Sequence, residues 1–332
     1  MPLVATYSAR AIRHHNRPEH LMHPADFDAP MPSVLQVPDE DFARAYDAAP
    51  DGYRAALKTC IAALHVLYGE PLLPRSESFA LPRSGMAYAR AERVAPWTLV
   101  VIDESFRSAP RLLAALMPAL CAAVPDVRVI RLAPATTPWP DQLLVALELA
   151  GQEVAGSLEP VDIGRFVAGL REAGRGRLLC LGGAASFAAL CRAAIEADIP
   201  VWHDGGTPRV VIVEDEGVDA ALVRWAHGVA RMAAGDVHDD VAPSLAEMPA
   251  AGKYPPDAGA TGFPVTGHAC DAVFCGSASA SLWATRARLV LTASREGCWA
   301  FPDLTPDFFI ERSLTIGRHV PATSFPPEML HG

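Results

Sequence analysis

Lysine is almost missing from this chain: of its 28 basic residues only Lys58 and Lys253 are lysines, so a mechanism that needs an amine has two positions to draw on. The remaining basic residues are scattered rather than gathered into a stripe, and the formal net charge is −10. The electrostatic footprint of a phosphate-backbone binder is therefore lacking, and nucleic acid is not an expected partner. No CxxC pair occurs among the seven cysteines (Cys60, Cys121, Cys180, Cys191, Cys270, Cys275 and Cys298). Their odd number and irregular spacing argue against both a disulfide framework and a zinc knuckle, which leaves most of them as small, buried, reduced side chains. No apolar run approaches the roughly 20 residues needed to cross a bilayer; the longest, Leu112 to Val124, is interrupted by Pro118. The first residues pass into His14, His15, His20 and His23 without the apolar stretch of a secretory signal, so a cytoplasmic location is the expectation. A GxGxxG fingerprint is also absent.

What is present, in 332 residues, is enough apolar material for one large domain or two ordinary ones. Residues 1–36, rich in Pro, His and Arg without periodicity, read as an extended arm of the kind that packs on a partner subunit. Over residues 37–89 the spacing of Phe42, Tyr46, Tyr53, Leu57, Ile61, Leu64 and Leu67 predicts a helical brace, broken near Pro50-Asp51-Gly52. From 90 to 238, short β-branched runs alternate with helical segments. Strands are expected at Trp97 to Ile102, Val127 to Leu132, Glu153 to Ser157, Arg177 to Leu181 and Val210 to Val213. Helices are expected at about 109–123, 138–150, 161–173, 184–197 and 217–234, with Ser108 and Thr137 as N-caps and Gly151 and Gly174 after helix ends. Repeated β-α-β units with apolar strands imply a doubly wound parallel sheet, Rossmann-like, with ligands beyond its carboxyl edge. Residues 239–332 change character: a Pro-, Gly- and Asp-rich loop leads to an abbreviated lobe with strands near Ala272-Val273-Phe274 and Ala287 to Thr292.

Four constellations carry candidate chemistry. Leu181-Gly182-Gly183-Ala184-Ala185 joins a strand to an Ala-rich helix, where glycines allow close backbone approach and the helix N-terminus attracts an anion; a tight turn without a ligand is the alternative. His203-Asp204-Gly205-Gly206-Thr207-Pro208 leads into a strand ending in Glu214-Asp215-Glu216, acids suited to capping the next helix, while His203 and Asp204 are cleft candidates. In the helix from Val218 to Ala234, Val218, Leu222, Trp225, Val229 and Met232 form the expected buried stripe. Arg224, His227 and Arg231 then share the other face, either solvated or turned toward a cleft, followed by His238-Asp239-Asp240, where a base or metal ligand is conceivable. Of the cysteines, Cys275 in Phe274-Cys275-Gly276-Ser277 is best placed as a nucleophile, with buried packing as its alternative role.

The order of these segments over roughly residues 90–238 resembles the aldehyde dehydrogenase superfamily, including its histidinol dehydrogenase branch. Leu113 to Val124 followed by Val127-Arg128-Val129-Ile130 looks like the helix and strand after that family's first nucleotide-domain strand, and Pro134 through Leu149 like its next helix. Gly182-Gly183 falls where the family has its glycine turn near the cofactor, and Gly205-Gly206-Thr207-Pro208 resembles the approach to its catalytic loop. The resemblance implies NAD or NADP bound across Gly182, Gly183, Arg131, Gly205 and Gly206, with self-association as a homodimer or higher homo-oligomer. Its catalytic positions are substituted: His203 stands where the family has a glutamate base, Gly235-Asp236-Val237-His238 where it has a Gly-Gln-Cys nucleophile turn, and Arg131-Leu132 near the cofactor lysine. Of the histidinol branch's Gln-Ala-Glu-His, only His227 of Arg224-Trp225-Ala226-His227 matches. Two functions follow as expectations. One is a divergent NAD(P)-dependent oxidoreductase acting on an aldehyde or activated acyl group, with Cys275, His203 and His238 as its catalytic residues. The other is a non-catalytic dehydrogenase-fold protein that binds a small molecule or serves assembly.

Overall fold

In the computed structural model the described residues are 34–69, 75–81, 86–163, 165–166, 169, 175–213, 217–228, 231–234 and 270–317. The described chain begins with a short strand, β1 (Val34–Gln36), and two helices, α1 (Asp39–Ala48) and α2 (Asp51–Tyr68). Pro50 separates the helices, where the sequence predicts the break, and Phe42, Leu57 and Leu64 of the predicted stripe are buried.

The sheet that defines the fold contains β4 (Trp97–Asp103), β5 (Asp126–Leu132), β6 (Ala155–Leu158), β7 (Arg177–Leu181) and β8 (Val201–His203), in the order β1-β6-β5-β4-β7-β8. Every pairing is parallel except that of β1, which lies antiparallel on β6. Side chains alternate between the faces of a strand, and along β4 the alternation separates two cores. Val100 and Ile102 pack with Leu112, Leu113 and Leu116 of α3 (Ala109–Cys121) and with Leu143 and Leu147 of α4 (Asp141–Leu149). Leu99 and Val101 pack with Phe187 and Leu190 of α5 (Ala184–Glu196) on the other side. Both faces are covered, so this is a doubly wound α/β sheet and its central strand is buried at every residue. The chain winds outward from β4 to β6 and then returns to β7 beside β4. The strand order therefore reverses between β4 and β7, which in such sheets opens a crevice at their carboxyl ends.

A second parallel sheet has the order β10-β9-β11-β12, from β9 (Arg209–Ile212), β10 (Arg231–Ala234), β11 (Cys270–Cys275) and β12 (Ala287–Thr292), with helices α6 (Ala220–His227) and α7 (Ala280–Trp283). This corrects two expectations. The strand at Val210 opens this sheet rather than continuing the first, whose actual edge, β8, has three residues and is too short to show a period. The helix predicted over 217–234 ends at His227, because Gly228 turns the chain at φ +69 and a β-carbon there would lie 2.5 Å from that of Arg107. Arg231–Ala234 then runs as a strand. Thr137 is likewise not an N-cap; Pro140 holds that position on α4.

The third sheet is antiparallel, order β13-β3-β2, from β2 (Arg75–Leu81), β3 (Met86–Val94) and β13 (Ile310–Gly317). Residues 75–81 and 86–89, read from the sequence as part of a helical brace, are thus strands, and their mixture of Ala, Ser, Arg and Glu carries neither period clearly. Among the described residues no helix is long and apolar enough to cross a membrane.

Candidate active site

The crevice between β4 and β7 is filled by the protein's own carboxylates. Gly182 follows β7 with φ +132, and a β-carbon there would lie 2.3 Å from the Asp103 carboxyl carbon, so the turn tolerates no side chain while Asp103 holds its place. Asp103, the last residue of β4, accepts the Gly183 N–H at 2.6 Å and the Ser105 hydroxyl at 2.8 Å. The N–H of Gly183 at the start of α5, where the sequence suggests an anion site, is thereby taken from within. Asp204 follows β8 and does the same for the second glycine turn: its Oδ1 accepts the N–H of Gly182 at 3.2 Å and of Gly206 at 2.9 Å. Its Oδ2 pairs with the Arg111 guanidinium, and both side chains are buried. Burial pushes the Asp204 carboxyl above the usual carboxylate range, against the opposing pull of Arg111 and the two backbone donors. Gly182, Gly183, Gly205 and Gly206 are thus brought to one edge of the sheet, as the sequence suggests, but all four of their N–H groups are already taken, that of Gly205 by His203.

Arg131, the other residue assigned to the cofactor, is fully buried on β5. It donates to the carbonyls of Pro138 at 2.8 Å, Thr137 at 3.3 Å and Glu104 at 3.1 Å. Burial lowers its pKa, the cost of holding a guanidinium among carbonyl dipoles away from water. It ties the loop before α4 to the end of β4. His203 ends β8 with its ring edge-on to Phe187, and its Nδ1 accepts the Gly205 N–H at 3.1 Å. The ring proton is therefore on Nε2, a buried donor without a partner, as is Nε of Arg111.

Cys275 stands in the other parallel sheet. It is 0% exposed, within an apolar cluster of Val211, Val213, Cys270, Val273 and Trp283. The packing role is the one this surrounding serves, since a nucleophile needs access. His238 and Glu214-Asp215-Glu216 lie outside the described residues.

His227 is neither solvated nor open to a cleft. It is 5% exposed, and the buried side of α6 is Val223, Ala226 and His227 rather than the predicted stripe. Its Nε2–H donates to the Glu296 carbonyl at 3.1 Å, so its Nδ1 accepts the Ser108 hydroxyl, also at 3.1 Å. Phe274 and Trp299 pack against the ring. Burial drives its pKa down to about 3. Ser108 is the predicted cap of α3, accepting the Arg111 N–H at 3.4 Å. A serine and a histidine in hydrogen-bond contact have the form of a nucleophile and base, but with Ser108 buried they act as a polar staple between α3, α6 and the segment before β13.

Asp103 and Arg111 are the site residues that sequence reading misses. Asp103 closes an apolar strand, and a lone acid at the carboxyl end of a parallel strand is a signal that could have been taken up. Arg111 sits inside a helix that is buried throughout except at Leu120, a second signal.

No protein-family model and no curated protein matches this chain. Among solved structures it is similar to a histidinol dehydrogenase from Elizabethkingia anophelis at 11% identity and a TM-score of 0.49, covering 85% of this chain and 76% of that one. It is similar to a NAD-dependent benzaldehyde dehydrogenase from Corynebacterium glutamicum at 13% identity and a TM-score of 0.37, covering 85% and 90% of the two chains. A succinate-semialdehyde dehydrogenase from Burkholderia pseudomallei matches at 17% identity and a TM-score of 0.30, and there this chain spans only 34% of the other's length. These similarities assign no residue of this chain a role.

Proposed function

We propose that this chain is a non-catalytic protein of dehydrogenase-like fold that binds an uncharged small molecule and serves assembly. One observation carries the reading: Asp103 and Asp204, with His203 at Gly205, occupy the N–H donors of both glycine turns at the crevice. A pyrophosphate brought there would meet two carboxylates where a dinucleotide site offers bare amides, and like charges at such a range repel. The donors that remain, Nε of Arg111 and Nε2 of His203, suit a neutral hydrogen-bond acceptor such as a carbonyl or hydroxyl oxygen. The test is an assay of the full chain with a panel of aldehydes and acyl thioesters plus NAD+ or NADPH, followed at the nicotinamide absorbance. No turnover is expected.

The alternative is an NAD(P)-dependent oxidoreductase acting on an aldehyde or activated acyl group. The strand order favours it, since the reversal between β4 and β7 is the kind of edge at which nucleotides bind. Turnover that vanishes in Cys275→Ser would establish that alternative and end the first reading.

Self-association belongs to the same proposal. In the antiparallel sheet Ile316, Tyr88 and Phe79 form one cross-strand row, with Leu314, Arg90 and Glu77 beside it and then Arg312, Glu92 and Arg75. Paired residues share a face, and on it Ile316 is 61%, Leu314 62% and Phe79 54% exposed. An apolar row flanked by both signs of charge is self-complementary across a two-fold axis, so the occupant is a second copy of this chain. Light scattering after size exclusion should give a dimer mass, and Leu314→Asp with Ile316→Asp a monomer; a monomeric parent would refute it.

A further inference from the structure

Two cysteines that neither the crevice nor the proposed function uses stand close together on adjacent elements. Cys180, on β7, and Cys191, on α5, have their sulfurs 3.9 Å apart. Cys180 is sealed in the core between the sheet and α5, whereas Cys191 is partly exposed. Their neighbours Phe187, Leu190 and Ala194 are buried and hold the helix against the strand, so the two sulfurs meet through packing rather than chance motion of a loop.

We propose that Cys180 and Cys191 are a reversible dithiol site that a low-molecular-weight disulfide oxidises, with Cys191 attacking and Cys180 resolving. In the first step the Cys191 sulfur attacks one sulfur of the small disulfide; that S–S bond breaks, a mixed disulfide forms on Cys191, and one small thiol leaves with the Cys191 proton. In the second, Cys180 attacks the Cys191 sulfur and the second small thiol leaves with the Cys180 proton. Two protein thiols are oxidised and one small disulfide is reduced to two thiols. The order follows from access, because only Cys191 can meet a reagent from solution. The hydrogen bond from Cys180 also lowers the Cys191 pKa and favours its thiolate, while the same contact and burial raise that of Cys180. Closure brings the sulfurs from 3.9 Å to about 2.05 Å. The bond would lock α5 to β7 directly beside Gly182 and Gly183.

The test treats the full-length protein with oxidised glutathione and reads intact mass and peptide maps. The parent should lose two hydrogens and yield a linked Cys180–Cys191 peptide that dithiothreitol reverses. Cys180→Ser should retain one glutathione on Cys191, and Cys191→Ser should take up none at Cys180. Cys180→Ala, with near-ultraviolet circular dichroism as the check on folding, should trap the same adduct if serine disturbs the core. A parent that stays unmodified, that holds glutathione on Cys191 without resolving, or that forms its link elsewhere, for instance between Cys60 and Cys298, would overturn the proposal.

Discussion

The two parallel sheets of this molecule are built alike and end differently. At the carboxyl edge of the six-stranded sheet, Asp103, Asp204, Arg111 and two glycine turns form a closed polar network. At the corresponding edge of the four-stranded sheet, β11 ends on Cys275 amid apolar side chains. Strand direction alone thus does not make a site. Both sheets reverse their strand order, between β4 and β7 in the first and between β9 and β11 in the second, so what distinguishes the first edge is the pair of acids, Asp103 and Asp204, that fills it. In the second sheet the described residues around the end of β11 pack in an apolar cluster instead.

The comparison can be broken most forcefully at Arg111. Arg111→Ala leaves Asp204 buried without its partner, and losing one member of a buried pair costs about 3–5 kcal/mol. Urea unfolding should register that loss, and a change below about 1 kcal/mol would show that the network is not what holds the crevice shut.

The next largest effect is one of pH and concerns His227, which bridges the regions through Ser108 and Glu296. Its folded pKa of about 3 lies below the ordinary histidine value of 6.5, so the folded state resists protonation. Stability is therefore complete above pH 6.5 and falls with acidification until about pH 3. Between roughly pH 6 and 4 this group contributes a loss of about 2 kcal/mol, taking about 1.4 kcal/mol per pH unit as the limiting slope. Comparing the stability profiles of the parent and His227→Gln isolates it: the variant should lack that slope, and equal slopes would contradict the assignment.

The smallest effect belongs to the second sheet. Cys275→Ser puts a hydroxyl into an apolar cluster and should cost about 1–3 kcal/mol for a polar group buried without full compensation, with ligand binding at the crevice unchanged. A loss of binding with stability intact would mean that the two edges communicate.

Much of this organisation was legible beforehand, for reasons that particular residues show. β4, β5 and β7 announce themselves because strands covered on both faces are apolar throughout, and Ser108 declares the start of α3. Both glycine turns are readable in the sequence, that at Gly182 as a close backbone approach. What filled them was not, because Asp103 and Asp204 come from separate strands 101 residues apart in the chain by their numbering, and only the fold brings them to neighbouring amides. β8 was missed for its length, and the antiparallel sheet because one of its faces is solvent-exposed and mixes Arg and Glu with its apolar residues. His227 was misplaced because the helix pattern was continued through Gly228, which rotated the predicted buried stripe away from the real one.

The glycine-turn amides at the crevice are satisfied from within. Isothermal titration of the full chain with NAD+, NADP+ and NADPH tests it most directly. The account predicts no binding heat up to millimolar nucleotide; saturable binding tighter than about 100 µM, worth about 5.5 kcal/mol on the affinity scale and weakened by Gly182→Ala, would contradict it.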